Sequence, residues 1–489
     1  MSAADEPLVD VLDSPEAGPA AIRGGALRAG GYMAGILLSL ISAPFVVRHL
    51  GTVDFGRYTL VLSIIALVAG LTEGGVAAVG LREYTTRPER ERDGLMRNLL
   101  GVRLVLTAVG VLGALAFTLI AGYDRTLVLG TALAGIGLLL QSMQNLVAVP
   151  LAGNLRYGWA TVTDLARQIV TVSLTLALVI AGAELLPFLA VSIAGGAVAL
   201  VMTATLVRGT MPLRPAFDPA EWWLLIRDTL PYAAAIALNV AYFRIAIILM
   251  SLVSTETQTG VFSVSFRILE VLLPIPALVI GAVFPIVARA ARDDPARLAY
   301  ATRRIFETAV IVGLWFVLCV ELAAPFLVQV LAGSGAGASV PVLRWQGVAL
   351  LATFVAVGCG FPLLSLHRHR DLLVANGVAL VVSVGLTLAL VPSQGARGAA
   401  IGTTAAEFAL ALMSAVLLAR ARAELRPPLA GPGIALLCAL LAAAVVLIPG
   451  LHEVARAALA SVVYFGALTL LGRVPQELID AIPRLRPAP

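Results

Sequence analysis

The sequence contains no lysine, only three cysteines and few charged residues of any kind. All 34 basic residues are arginine, and charged residues make up 13% of the 489-residue chain, whereas an ordinary soluble domain has about 25%. Hydrophobic residues make up 60%, and the mean hydropathy is +0.96. This composition excludes an ordinary soluble enzyme, a disordered protein and a nucleic-acid binder. The sequence therefore predicts an integral membrane protein.

Groups that could carry catalysis or bind metal are scarce. Cys319, Cys359 and Cys438 lie in apolar runs, without the spacing of a metal site or an obvious disulfide partner, so we expect free thiols. The four histidines lie at predicted helix ends or in loops, and no catalytic constellation accompanies them. The sequence therefore predicts a protein that is not an enzyme and that holds no metal or cofactor.

Long apolar runs dominate the chain. A helix that crosses the hydrocarbon of a bilayer needs about 20 mostly apolar residues, and the sequence contains fourteen such runs, of which 432–449 is the thinnest. They predict an all-α integral membrane fold with about 14 transmembrane helices. No loop between them is long enough to hold a separate soluble domain.

The arginines concentrate in alternate connections, after the second, sixth, eighth, tenth and twelfth runs. Cytoplasmic loops carry the excess of basic residues, so with an even number of helices both termini are predicted to be cytoplasmic. Residues 1–25 are acidic at the start, unlike a signal peptide, and are predicted to be a disordered cytoplasmic tail. Residues 474–489 are predicted to be a second cytoplasmic tail.

The connection 209–229 has a helix signal of its own. Asp218 and Pro219 are typical of a helix start, and Glu221 follows at the third position. Two tryptophans, Trp222 and Trp223, then begin an apolar face. The pattern predicts an interfacial helix on the cytoplasmic leaflet that links two halves of the chain. The alternative is an early start of the seventh membrane helix.

Charged residues inside apolar runs are the best candidates for function. Placing one at mid-membrane costs about 2.5–3.5 kcal/mol, so such residues usually face a bundle interior or an aqueous cavity. The candidates are Arg244, Arg267, Glu270, Glu73, Glu321 and Glu407, with Arg28, Arg103, Asp164 and Arg167 nearer the predicted cytoplasmic helix ends.

Each candidate also has a purely structural interpretation. Arg267 and Glu270 are three residues apart and can pair on one helix face, as can Asp164 and Arg167. An arginine near a helix end, such as Arg28 or Arg103, can instead snorkel to the headgroups. An interior role is favoured for Arg244, which lies near the middle of its run, whereas hydrogen bonding between helices competes with proton coupling for Glu73, Glu321 and Glu407.

Glycine and proline positions add mechanical predictions. Gly31 and Gly35 form a GxxxG pattern in the first run, which permits close helix packing. Pro44 in the first run, and Pro274 and Pro276 in the eighth, predict kinks, because proline frees a helix carbonyl.

Four stretches of the chain carry a family resemblance. Residues 44–63 contain LGTVDFGRY, similar to an LG-x-x-x-[FY]-G-x-Y opening, and residues 71–84 are similar to a D-x-G stretch in which Glu73 replaces the usual Asp. Residues 260–289 and the Pro-x-x-Gly-x-x-Gly-Ala-Ala-like segment 390–407 follow in order. The chain thereby resembles the polysaccharide (O-antigen, Wzx-like) flippases of the multidrug/oligosaccharidyl-lipid/polysaccharide exporter superfamily.

The resemblance implies an architecture and a cargo. Two pseudo-symmetric six-helix bundles, 26–208 and 230–420, would be joined by the linker 209–229 and followed by two extra helices at 421–473. They would alternate between inward- and outward-open states in the bacterial cytoplasmic membrane. The cargo would be an undecaprenyl-diphosphate-linked oligosaccharide for surface polysaccharide biosynthesis. Expected partners are this lipid, membrane lipids, a proton or sodium ion and a polysaccharide polymerase, but no nucleic acid.

The residues fit such a cargo, because a guanidinium fork matches phosphate oxygens. Arg28, Arg57, Arg244 and Arg267 are predicted to line one cavity between the bundles. We expect Arg244 and Arg267 to hold the diphosphate while Glu270 tunes or releases them. Coupling or gating is the predicted role of Glu73, Glu270, Glu321 and Glu407.

Other functions stay open at this point. A lipid II flippase and a multidrug exporter belong to the same superfamily, although exporters typically bind cations through acidic residues rather than arginines. A membrane polymerase or ligase of envelope sugars would be expected to carry a large outer loop, and the outer connections here are short. A lipid-binding scaffold that does not transport is a further alternative.

Overall fold

The computed structural model describes residues 17–73, 76–154, 156–209, 211–281, 283–426 and 430–473. Within these residues the secondary structure is helical, apart from one isolated bridge between Arg208 and Met211. The chain forms two compact units, Met1–Arg244 and Ile245–Pro489. The predicted all-α fold is therefore confirmed.

The first unit contains seven complete helices and most of an eighth within the described residues. Their bounds are α1 Ala17–Glu73, α2 Val76–Thr86, α3 Glu89–Ile120, α4 Arg125–Val147, α5 Val149–Gly153, α6 Tyr157–Ile180, α7 Leu185–Leu206 and α8 Pro219–Val253. The division between the two units falls inside α8, between Arg244 and Ile245.

Helix α1 is broken at Gly51, although its helical assignment continues on both sides. Gly51 has φ 72° and ψ 175°, a backbone conformation that is not helical and that favours glycine. The 57 residues of α1 would extend about 85 Å as one straight helix, far more than the roughly 30 Å of a bilayer core. The break therefore separates two membrane crossings. Pro44, where the sequence predicted a kink, lies inside the helical segment before Gly51.

The second unit contains nine further helices in the described part of the chain. They are α9 Glu256–Leu272, α10 Pro274–Gly281, α11 Phe284–Asp293, α12 Pro295–Ala332, α13 Ser339–Ser365, α14 His369–Gln394, α15 Ala396–Ala421, α16 Ala430–Ala443 and α17 Glu453–Leu470. The interruption between α9 and α10 lies next to Pro274, as the sequence predicted, because proline cannot donate the next helix hydrogen bond.

Among the described residues, twelve helices are long and apolar enough to cross a membrane. One of these twelve spans is Met33–Glu73, which contains the break at Gly51 and counts as two crossings. A shorter apolar helix, Gly431–Leu447, corresponds to the thin run at 432–449. When Met33–Glu73 is counted as two crossings and Gly431–Leu447 is added, the described residues contain fourteen membrane segments. This number agrees with the approximate count that the sequence predicts.

The C-terminal helices pack within the second unit. The hydroxyl of Tyr464 in α17 is buried and donates to the carbonyl oxygen of Ile311 in α12 at 3.0 Å. The indole Nε1 of Trp315 donates to Ser461 Oγ at 2.9 Å. These hydrogen bonds satisfy polar groups inside an apolar core, and they fix α17 against α12.

The predicted interfacial helix at 209–229 is not a separate element. Asp218 and Pro219 begin α8, which continues without interruption to Val253, so the second interpretation of this segment is correct. The same start signal serves a long helix as well as a short one, which is why the sequence did not separate the two. In the first turns of α8, Trp223 is exposed and Leu225 is buried.

The start of α8 is attached to α2 and α3. The backbone nitrogen of Ala216 donates to the carbonyl oxygen of Arg97 at 2.8 Å, and that of Asp218 donates to Asn98 Oδ1 at 3.2 Å. A Cβ atom on Gly101 would lie 2.1 Å from the carbonyl oxygen of Ala216. Only glycine therefore permits this approach of the connection to α3.

An ion-pair network strengthens the same attachment. Arg87 donates to Glu221 at 2.7 Å and to Glu83 at 3.2 Å, which joins α2 to α8. The hydrogen bond from Arg82, followed by that from Arg87, holds the pKa of the Glu83 carboxyl below its ordinary value of 4.5, against the effect of partial burial. Glu83 is therefore ionised at neutral pH and contributes to the network.

The GxxxG pattern produces the predicted close packing, between α1 and α6. A Cβ atom on Gly31 would lie 2.2 Å from Thr161 Cγ2, and one on Gly35 would lie 2.4 Å from Gln168 Nε2. The neighbouring Gly30 has no atom within 4 Å of the position of a Cβ atom. Of these three glycines, Gly31 and Gly35 lie in close contact with α6, and Gly30 does not.

Replacing Gly31 with Val is expected to lower the stability of the chain by about 1–3 kcal/mol, the usual cost of inserting atoms into a packed contact. Thermal unfolding of the purified protein in detergent measures this loss as a lower Tm. Gly30→Val is the matched control, because it adds the same side chain where no atom lies within 4 Å of the position of a Cβ atom, and it should not lower Tm. An unchanged Tm for Gly31→Val would show that α1 and α6 are not held at this distance.

Candidate functional site

The first candidate cluster joins α1, α3 and α4 around Glu73. Arg103 Nη2 lies 3.2 Å from Glu73 Oε1, and Asn145 Nδ2 donates to the same oxygen at 2.5 Å. Arg103 Nη1 also donates to the carbonyl oxygen of Thr72. One carboxylate and one backbone carbonyl thus contact a guanidinium that lies between membrane helices, and the amide of Asn145 holds the carboxylate.

Arg103 does not snorkel to the headgroups, which was one of its two predicted roles. Only 2% of the residue is exposed, and its counter-charge comes from Glu73, whose own side chain is 41% exposed. Sequence reasoning missed Asn145, the second partner of Glu73. An amide inside an apolar run was the available signal, but the separation of 72 positions between Asn145 and Glu73 hid the pairing.

The second candidate cluster lies on α9. Arg267 Nη1 donates to Glu270 Oε2 at 2.7 Å, so the predicted pairing at i and i+3 is confirmed. The two side chains keep 28% and 27% of their surface exposed. This pair therefore differs from the one at Arg103, because both of its members remain accessible.

The other predicted arginines have different surroundings. Arg57 lies 3.6 Å from Asp54 and 3.8 Å from Asp124, and Asp124 caps the start of α4. Arg28 is exposed near the start of α1, whereas Arg244 is partly buried in α8. That these arginines and Arg267 line one cavity stays a prediction.

Two of the predicted glutamates lie in the second unit on α12 and α15. Glu321 lies 3.8 Å from Arg344, with 34% and 49% of the two side chains exposed. Glu407 is buried, and its Oε2 accepts a hydrogen bond from Thr353 Oγ1 at 3.0 Å. Their coupling or gating roles stay predictions.

Metal and thiol chemistry find little support among the residues that the structure describes. No group of three or more histidine, cysteine, aspartate or glutamate side chains there could hold a metal ion. Cys359 and Cys438 are buried free thiols, and Cys319 is a partly buried one.

The fold is similar to that of several solved transporters. The lipid II flippase MurJ in an inward closed conformation matches with TM-score 0.76 and 12% identity, over 93% of this chain and 100% of that chain. An inward-facing multidrug resistance MATE family transporter matches with TM-score 0.66 and 17% identity, over 80% and 95%. A MOP superfamily transporter from Pyrococcus furiosus matches with TM-score 0.57 and 17% identity, over 83% and 96%. No curated protein sequence matches the chain.

These likenesses define the class: the chain is a multi-pass membrane protein with the fold of the MOP superfamily transporters. Residues 21–291, more than half of the chain, match the family described as polysaccharide biosynthesis protein. The chain belongs to the polysaccharide biosynthesis protein family. The resemblance inferred from the four sequence stretches is thereby confirmed.

Replacing Glu73 with Gln is expected to destabilise the chain by about 3 kcal/mol, because it leaves the buried Arg103 without its counter-charge. The readout is Tm of the purified protein in detergent. Glu321→Gln is the control, since it removes one member of a more exposed pair and should cost about 0–1 kcal/mol. Equal Tm values for the two variants would contradict the structural role assigned to Glu73.

Proposed function

We propose that the chain is a flippase that moves an undecaprenyl-diphosphate-linked oligosaccharide from the inner to the outer leaflet of the bacterial cytoplasmic membrane. Transport proceeds by alternating access, with both termini in the cytoplasm, and supplies surface polysaccharide biosynthesis. The family match supports the pathway. The occurrence of inward-facing and outward-facing structures among the neighbours supports the mechanism.

The accessible Arg267–Glu270 pair is the observation that carries the proposal. The diphosphate of a lipid-linked sugar must cross the hydrocarbon, and it needs a cationic partner there. The guanidinium of Arg267 is held by a carboxylate within a membrane-spanning helix, with both side chains about one quarter exposed. A phosphate can therefore replace the carboxylate of Glu270 as the partner of Arg267, and Glu270 can recover Arg267 on release.

Other arginine–carboxylate pairs in the described residues fit this exchange less well. Arg103 is almost fully buried against Glu73, so a bulky head group does not reach it. Arg344 and Glu321 are 3.8 Å apart and more exposed, which makes their pairing weak. The burial of Arg267 is intermediate between those of Arg103 and Arg344. Its charge is therefore both accessible and partly desolvated.

We retain Arg244 as a second contact of the diphosphate, because it is partly buried in α8 and belongs to a membrane-spanning segment. Glu407 is the proposed coupling residue, since a buried carboxylate that accepts from Thr353 can exchange a proton or a sodium ion. A polysaccharide polymerase is the proposed protein partner. None of these roles requires an enzymatic step.

Lipid II is the second candidate cargo. The neighbour with TM-score 0.76 is a lipid II flippase, and lipid II shares the polyprenyl diphosphate with the proposed cargo. The same arginine pair would therefore serve both lipids. A cationic drug, the cargo expected for a multidrug exporter, fits an accessible guanidinium poorly because the charges repel.

Replacing Arg267 with Ala is expected to reduce flipping of a fluorescent lipid-linked oligosaccharide by about tenfold to a hundredfold, the loss of a charge-assisted hydrogen bond. Arg267→Lys should be intermediate, since it keeps the charge and loses the planar fork. The assay uses proteoliposomes with equal amounts of each variant. Parallel arms with lipid II and with a cationic drug identify the cargo.

Arg303→Ala is the matched control and should transport normally. Arg303 also pairs with a glutamate on its own helix, Glu307 at 3.1 Å, but it is largely exposed at the start of α12. Wild-type transport by Arg267→Ala would remove Arg267 from the mechanism. Transport of the drug alone would contradict the proposed function.

A further inference from the structure

A groove runs between the first parts of α1 and α6 in the first unit. It has a volume of about 750 Å³, within the range of roughly 300–1,000 Å³ that is usual for ligand pockets. Leu27 and Ala34 line it from α1, and Trp159, Val162 and Leu165 line it from α6. The lining is almost entirely apolar.

The absence of a side chain at Gly30 leaves the groove open, and the close packing of α1 against α6 forms its base. Gly30 lines the groove and has no atom within 4 Å of the position of a Cβ atom, so a side chain there would enter the open volume. Next to it, Gly31 and Gly35 bring α1 against Thr161 and Gln168 of α6. The groove is therefore a fixed indentation between two packed helices.

The apolar lining is accessible from outside the unit. Leu27 and Trp159 are each 52% exposed, and Val162 is exposed as well. Trp159 and Val162 belong to the candidate membrane span Gly158–Ile180, and an apolar surface left uncovered there is complementary to lipid chains. Trp159 lies two residues after the start of α6 at Tyr157, and tryptophan is enriched at the depth of the headgroups. The groove therefore extends from headgroup depth into the hydrocarbon.

Basic residues lie next to lining residues of the groove along the chain. Arg28 follows Leu27 and is exposed, and Arg156 precedes the lining residue Gly158 and is also exposed. Asp164 interacts electrostatically with Arg28 and Arg167, which leaves an excess of basic groups here. A ligand with one anionic head and a long apolar chain complements this arrangement.

We propose that this groove binds an acyl chain of an anionic membrane phospholipid, whose phosphate contacts Arg28 and Arg156. Basic sites between membrane helices on the cytoplasmic side bind such headgroups. The contact of α1 with α6 closes the groove toward the interior of the unit. A transported cargo needs a path from its binding site across the membrane, so the closed groove favours a resident phospholipid over the cargo. Arg28 is thereby assigned to a bound lipid rather than to the diphosphate of the cargo.

The test measures contact between lipid chains and Trp159. In a variant whose other four tryptophans are replaced with Phe, phosphatidylglycerol with brominated chains should quench Trp159 fluorescence more strongly than brominated phosphatidylcholine does. Arg28→Gln and Arg156→Gln should each reduce the preference roughly fivefold, as expected for one basic residue near a membrane surface.

A second measurement avoids multiple tryptophan replacements. Native mass spectrometry of the full chain should detect phosphatidylglycerol retained by the wild-type protein, and Gly30→Leu should reduce its retention by filling the groove. Gly113→Leu is the matched control, since Gly113 is also exposed and has no atom within 4 Å of the position of a Cβ atom.

Three results would overturn the proposal. One is equal quenching of Trp159 by the two phospholipids. Another is unchanged lipid retention in Gly30→Leu. The third is displacement of phosphatidylglycerol by polyprenyl phosphate at equal concentration, which would make the groove a site for the cargo. None of these readouts depends on transport, so a negative result would leave the proposed flippase function untouched.

Discussion

The pairing of guanidinium groups with carboxylates inside membrane helices is the interaction on which this structure depends. An isolated arginine is costly in hydrocarbon, and a counter-charge with further hydrogen bonds offsets that cost. Arg103 has Glu73 and the carbonyl oxygen of Thr72, and Arg267 has Glu270. Each arginine is therefore tolerated in an apolar helix, and each pairing fixes where the charge lies.

Burial separates a structural pair from one that can exchange partners. Arg103 is buried within packed helices and joins α1 to α3, whereas Arg267 pairs within a single helix and its side chain is 28% exposed. The first arrangement stabilises the first unit. The second leaves both side chains about one quarter exposed, which is why we propose that an anionic head group exchanges with Glu270 there. The same kind of arginine–carboxylate pair thus stabilises the fold at Arg103 and is the proposed binding site at Arg267.

Patterns that are local in sequence predicted their structures well. The spacing of Arg267 and Glu270 predicted their ion pair, and Gly31 and Gly35 predicted close packing. Contacts between distant segments were not predictable, because nothing in the sequence near Glu73 indicates Asn145. The continuity of α8 was equally hidden, since Asp218 and Pro219 signal where a helix begins and not how far it continues. Which arginines contact the cargo depends on such long-range geometry.

Recognition of the negative charge of a lipid-linked sugar is the property on which the proposed function depends. Proteoliposomes containing the wild-type protein test it most directly, by comparing the flipping of one oligosaccharide carried on a polyprenyl diphosphate with that of the same oligosaccharide on an uncharged polyprenyl linker. If the chain recognises the diphosphate, the diphosphate-linked sugar should flip rapidly, and the neutral one should flip no faster than in protein-free liposomes. Equal protein-dependent flipping of both would contradict it.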